Sequence, residues 1–96
     1  MLEIDPTLGP YCNQRRLNHY VDIAKHLERL QGMGPIRVWY DANDDYVKIA
    51  FAYAGSDWLI RGYKVYAVLR DGKKEFIFSR EYNMLEFFEG LRPANQ

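Results

Sequence analysis

Asp71-Gly72 stands between two alternating apolar–polar runs, Tyr63 to Arg70 and Lys73 to Ser79. Asp-Gly in that setting is among the strongest short-range signals for a type I′ β-hairpin. Ser79 is then placed to cap a helix whose apolar side is Tyr82, Met84, Leu85, Phe87, Phe88 and Leu91, with Gly90 near its end. Strand, turn, strand and amphipathic helix in succession constrain the architecture strongly, because the register of the hairpin decides which side chains share a face of the sheet.

Upstream, residues 1–12 contain Pro6, Gly9 and Pro10 and read as an arm or short edge segment. Asn13 is a suitable N-cap for a helix running to about Gln31, with Leu17, Tyr20, Val21, Ile23, Ala24, Leu27 and Leu30 on one side at helical spacing. Gly32, Gly34 and Pro35 end it. Four strands are expected after it: Ile36–Asp41, Tyr46–Ala54, Trp58–Arg70 and Lys73–Ser79. The order α-β-β-β-β-α implies a two-layer α+β domain, a four-stranded antiparallel meander with both helices on one face. Residues 13–92 form the domain in this reading, and 93–96 a C-terminal tail.

A four-residue loop at 42–45 sets Tyr40 against Val47, Val38 against Ile49 and Ile36 against Phe51, and so defines a core face. The last hairpin, with a two-residue turn, sets Ala67 against Phe76 and Val65 against Phe78. A regular third strand cannot serve both sets. One extra residue at Arg61-Gly62 repairs the phase, so a β-bulge or sharp bend is expected at Gly62.

The opposite face then carries Trp39, Tyr66 and Ile77 as apolar groups, with Arg37, Lys48, Arg61 and Lys64 around them. These seven residues are the expected binding site. Thirteen basic and thirteen acidic residues cancel over the chain, yet residues 58–80 hold six basic side chains against two acidic ones. Aromatic residues make up 16% of the sequence, and Tyr and Trp are favoured where an apolar body and a polar tip meet a partner. Stacking of bases on sheet aromatics would use the same face. The neutral total and the absence of a long basic run favour a protein partner over nucleic acid.

No catalytic constellation is evident. Cys12 is the only cysteine, the two serines are Ser56 and Ser79, and no nucleophile elbow, phosphate loop, dinucleotide fingerprint or paired-cysteine metal motif occurs. His19 and His26 are two helical turns apart, about 10 Å, too far to hold one ion together. The run Asp41 to Asp45 begins like a calcium loop, but Tyr46 and Ala52 stand where that loop needs Gly and Glu. No cofactor or metal is expected. A single cysteine, no basic start followed by an apolar run, and no stretch of roughly 18 apolar residues point to a cytoplasmic protein that does not enter a membrane. The order of elements is similar in outline to that of double-stranded-RNA-binding domains. An additional strand, and Arg80-Glu81 where a basic cluster would stand, separate the two, and no family is identified.

The expectation is therefore a small non-enzymatic adaptor, inhibitor or regulator that binds another macromolecule through an open aromatic and basic sheet face. Nucleic acid is the alternative ligand. Self-association through that face, or through the flat apolar strand 36–41, is the simplest form of protein binding.

Overall fold

The alternating runs from residue 36 onward build one sheet, and in the computed structural model it has six strands rather than four. The structure describes residues 2–5, 14–62, 64–79 and 84–91. Its elements are β1 (Leu2–Ile4), α1 (Gln14–Glu28), β2 (Ile36–Asp41), β3 (Tyr46–Tyr53), β4 (Ser56–Arg61), β5 (Lys64–Val68), β6 (Lys74–Ser79) and α2 (Met84–Gly90). The strands lie in the order β1-β2-β3-β4-β5-β6. β1 runs parallel to β2 and every other neighbouring pair is antiparallel. The domain is α+β with a mixed sheet, and the expected four-stranded meander is corrected by a strand added at its first end and by division of its third strand in two.

At the first end, Leu2, Glu3 and Ile4 pair with Ile36, Arg37 and Val38, and Asp5 N donates to Val38 O at 2.9 Å. The expected short edge segment is there. It covers the edge of 36–38, half of the strand 36–41 that was expected to be open to a second copy.

In the centre, the single strand Trp58–Arg70 is two strands. Gly62 has φ +59 and the chain reverses between Arg61 and Lys64, which face each other, as do Ile60 and Val65. A reversal of two residues and a bulge of one solve the same phase problem. Either way Trp58, Ile60, Val65 and Ala67 share a face, so the expected faces survive although the connectivity does not. Tyr63 lies outside the described residues.

The last hairpin also differs from expectation. Leu69 N donates to Lys73 O at 2.8 Å and Gly72 N to Leu69 O at 2.9 Å, with Gly72 at φ +85. This is a three-residue loop, 70–72, with glycine in the left-handed position, rather than a two-residue turn. Asp71 Oδ1 accepts from Lys73 N at 3.0 Å and holds it. The extra loop residue slips the pairing by one, so Tyr66 faces Phe76 and Ala67 faces Glu75. A register shift between Val65 and Tyr66 then leaves Ile77 as the surplus residue and restores Val65 against Phe78.

The predicted pairs Ile36–Phe51, Val38–Ile49 and Tyr40–Val47 are present. Ala24 and Leu27 of α1 and Met84 and Phe88 of α2 belong to one buried cluster with Val38, Ile49, Trp58 and Ile60. Phe88 is its centre, with ring centroids 5.2 Å from Phe51 and 5.1 Å from Trp58. The Trp58 indole N–H donates to Tyr53 O at 3.0 Å, which satisfies a donor that burial would otherwise strand. α1 ends at Glu28, three residues earlier than expected, and Asn13 lies outside the described residues. Ser79 is the last residue of β6 and pairs with Lys64; the helix is described from Met84, and the residues that Ser79 was expected to cap lie outside the described ones. Leu69 stands exposed beside the hairpin loop.

The β3–β4 turn carries a testable imperfection. Ala54 and Gly55 have φ +53 and +78 between the paired residues Tyr53 and Ser56, a type I′ geometry in which Asn-Gly is preferred. Replacing Ala54 with Asn is expected to raise the unfolding free energy by about 0.5–1 kcal/mol, because Ala resists the left-handed region and Asn tolerates it. Urea denaturation of the two proteins checks this; an unchanged or lower midpoint would argue against the turn.

Candidate functional site

The second face of the sheet follows from the register. One row across it reads Arg37, Ala50, Leu59, Tyr66 and Phe76; the next reads Trp39, Lys48, Arg61 and Lys64; a third reads Ala52, Asp57, Val68 and Lys74. Ala50 and Ala52 are small and their neighbours large, so a groove of about 460 Å³ crosses the strands, with Trp39 at one side and Val68 and Lys74 at the other. Trp39 is half-buried there and carries the Arg37 guanidinium 4.7 Å above its ring. Leu59 is buried in the groove floor. An apolar concavity edged by charged groups is how a sheet surface accepts a partner's side chains.

The cations of the middle row are not all available. Lys48 and Arg61 face each other directly on β3 and β4, a like-charge pairing that needs a counterion. Asp44 of the β2–β3 loop supplies it. Its carboxylate accepts from Arg61 Nε and, at 3.0 Å, from the second guanidinium nitrogen, and lies 3.1 Å from Lys48 Nζ. Asp41 Oδ2 accepts from Lys48 Nζ at 2.6 Å. Arg61 also lies 3.9 Å over the Tyr46 ring. Lys48 is only 6% exposed. Burial pulls its pKa down, but the bonds to Asp41 and Asp44 outweigh that and leave it above the ordinary lysine value. The Arg61 hydrogen bond, and then that of Lys48, hold the Asp44 carboxyl well below the usual carboxylate range; Lys48 does the same for Asp41.

A pH dependence follows. Both carboxyls bind protons less readily folded than unfolded, so they contribute stability that is present above the unfolded carboxylate pKa, 3.8, and is lost as pH falls towards the folded values. Wild type is expected to lose more urea resistance between neutral pH and pH values below the unfolded pKa than Asp44→Asn does. Equal acid losses in the two proteins would show that the cluster is uncoupled from folding.

The seven expected site residues are thus divided. Trp39 and Tyr66 lie half-buried on the outer face, but on strands three spacings apart, roughly 14 Å, so they do not form one cluster. Arg37 and Lys64 are exposed on it. Lys48 and Arg61 are held by Asp41 and Asp44. Ile77 is corrected: as the surplus residue of β6 it packs against the core cluster, and Phe76, 55% exposed, takes its place beside Tyr66 at 6.0 Å. Sequence reasoning missed Phe76, the groove floor at Ala50 and Leu59, and the role of Asp41 and Asp44. The facing pair Lys48 and Arg61 was the available signal for the last, since the only acids near them in register are those of the 41–45 loop.

His19, Asp22 and His26 lie exposed on α1, where His26 Nδ1 donates to the Asp22 carbonyl at 2.7 Å. Among the described residues no three His, Cys, Asp or Glu side chains gather as a metal would require, and no helix is long and apolar enough to cross a membrane. No protein family matches this chain, and neither a curated protein nor a solved structure matches it.

Proposed function

We propose that this domain is a non-enzymatic binding module, an adaptor, inhibitor or regulator acting in the cytoplasm, that engages another protein through the outer face of its sheet. The groove between Trp39 and the side chains of Val68 and Lys74 carries this reading. It offers an apolar seat edged by charged side chains, the arrangement in which a few anchors dominate affinity. The pairing of Lys48 and Arg61 with Asp41 and Asp44 favours protein over nucleic acid, because cations already neutralised within the fold release few counterions from a phosphate backbone.

Light-scattering mass at low and high salt, with and without mixed short oligonucleotides, tests the choice of ligand class. The expected result is a mass that the oligonucleotides leave unchanged; a dimer under those conditions would identify a second copy as one such protein partner. A mass increase with oligonucleotide at low salt that vanishes at high salt would establish the nucleic-acid alternative instead. Once a partner is in hand, Trp39→Ala or Tyr66→Ala is expected to weaken binding by more than about 1 kcal/mol.

A further inference from the structure

The β5–β6 hairpin differs from the rest of the outer face in what it leaves exposed. Three large apolar side chains are exposed among the described residues: Tyr46, Leu69 and Phe76. Tyr46 lies beneath the Arg61 guanidinium, whereas Leu69 and Phe76, 44% and 55% exposed, both belong to the hairpin. Residues 64–79 hold the cations Lys64, Arg70, Lys73 and Lys74 against the anions Asp71 and Glu75. Asp71 is engaged by the Lys73 backbone N–H and lies 3.9 Å from Lys73 Nζ. Among the described residues Lys64, Arg70 and Lys74 have no ion-pair partner, and Glu75 is the one anion of the hairpin left over.

Backbone geometry adds an acceptor site. Leu69 and Lys73 form a hydrogen-bonded pair, so alternation along the ladder turns the N–H and C=O groups of Lys74 and Phe76 away from β5. β6 is the last strand of the sheet, and those groups point to its outer side. The surplus residue Ile77 interrupts the pattern, which confines strand addition to the first half of β6. A second copy suits this edge poorly. Antiparallel pairing of Lys74 and Phe76 with Phe76 and Lys74 of another copy would set Glu75 against Glu75 at the closest cross-strand spacing.

We propose, resting on the reading above, that the first half of β6 takes an extended segment of a different protein, acidic and bearing an aromatic or aliphatic anchor, which adds a strand at Lys74–Phe76 and packs its anchor against Phe76 and Tyr66. Lys64 and Lys74 receive the acidic side chains. The edge-to-face packing of Tyr66 on Phe76, 69° between ring planes, disfavours a nucleic-acid strand, which needs open ring faces for stacking.

The test is a ¹⁵N NMR titration of the full chain with two synthetic peptides of equal length. Both carry a single Phe; the residues two before and two after it, which share its face of the strand, are Glu in one peptide and Lys in the other, with Thr at the positions between. The Glu peptide is expected to bind about tenfold or more tightly than the Lys peptide, shifting the amides of 64–79 with Lys74 and Phe76 foremost. Phe76→Ala and Lys74→Glu, both at exposed positions, are each expected to weaken it by about tenfold. Equal affinities, no binding of the Glu peptide, or indifference to Phe76→Ala would overturn the proposal. Shifts confined to the groove at Trp39 and Ala50 would also overturn it while leaving the outer-face reading standing, whereas no shift anywhere on the outer face would remove both. An oligonucleotide of the same charge that displaces the Glu peptide and binds more tightly would assign the site to nucleic acid.

Discussion

Replacing Phe88 with alanine is expected to lower the unfolding free energy by about 3–5 kcal/mol, the cost of removing a buried aromatic side chain and leaving a cavity. Phe88 is 0% exposed and meets the rings of Phe51, Tyr53, Trp58, Phe78 and Phe87, so few neighbours can collapse into the gap without giving up their own contacts. For a domain of this size, with a total stability of about 5–10 kcal/mol, that is close to half. Phe76→Ala removes the same group from the other side of the sheet and is expected to cost no more than about 0.5–1 kcal/mol. Urea denaturation of both variants measures the difference between core and outer face in a single residue type. A loss at Phe76 equal to that at Phe88 would mean that the outer face is buried and unavailable to any partner.

Gly62→Val is the second large effect. At φ +59 a β-branched residue is strained whatever surrounds it, and a Cβ there would lie 3.1 Å from Tyr46 Cε1. The expected cost is about 2–4 kcal/mol. Gly62→Asn shares the Tyr46 contact but tolerates the left-handed region, so it is expected to lose clearly less; equal losses would place the difficulty in the contact rather than the backbone. The reversal at Gly62 matters for the binding face as well. It sets Lys64 beside Arg61 and Tyr66 beside Leu59, and without it neither the groove wall nor the β5–β6 hairpin would exist.

The faces of the sheet were legible in the sequence because side-chain alternation survives whichever device corrects the phase. Ile36, Val38, Val47, Ile49, Trp58, Ile60 and Val65 are buried as the period of two requires. Connectivity was less legible. A glycine where the phase breaks announces an irregularity, and its flanking residues do not distinguish a bulge from a reversal. Asp71-Gly72 announced a hairpin, but two- and three-residue loops both place glycine in the left-handed region. That single residue decided whether Phe76 or Ile77 stood outside. The pairing of Leu2–Ile4 with β2 is parallel and distant in sequence, so no local pattern marks it. Of the site, the aromatic groups Trp39 and Tyr66 could be read, whereas the silencing of Lys48 and Arg61 depends on a loop folding back over the strands, which only the tertiary arrangement reveals.

Site-specific photo-crosslinking in cells that make this protein tests the central claim most directly. A photoreactive phenylalanine analogue would be placed at Phe76, at Trp39 and, as a control, at Lys25 on the exposed side of α1. The account predicts crosslinks to another protein from Phe76 and Trp39 and none from Lys25. Crosslinks from Lys25 alone, or from Phe76 and Trp39 to nucleic acid, would contradict it.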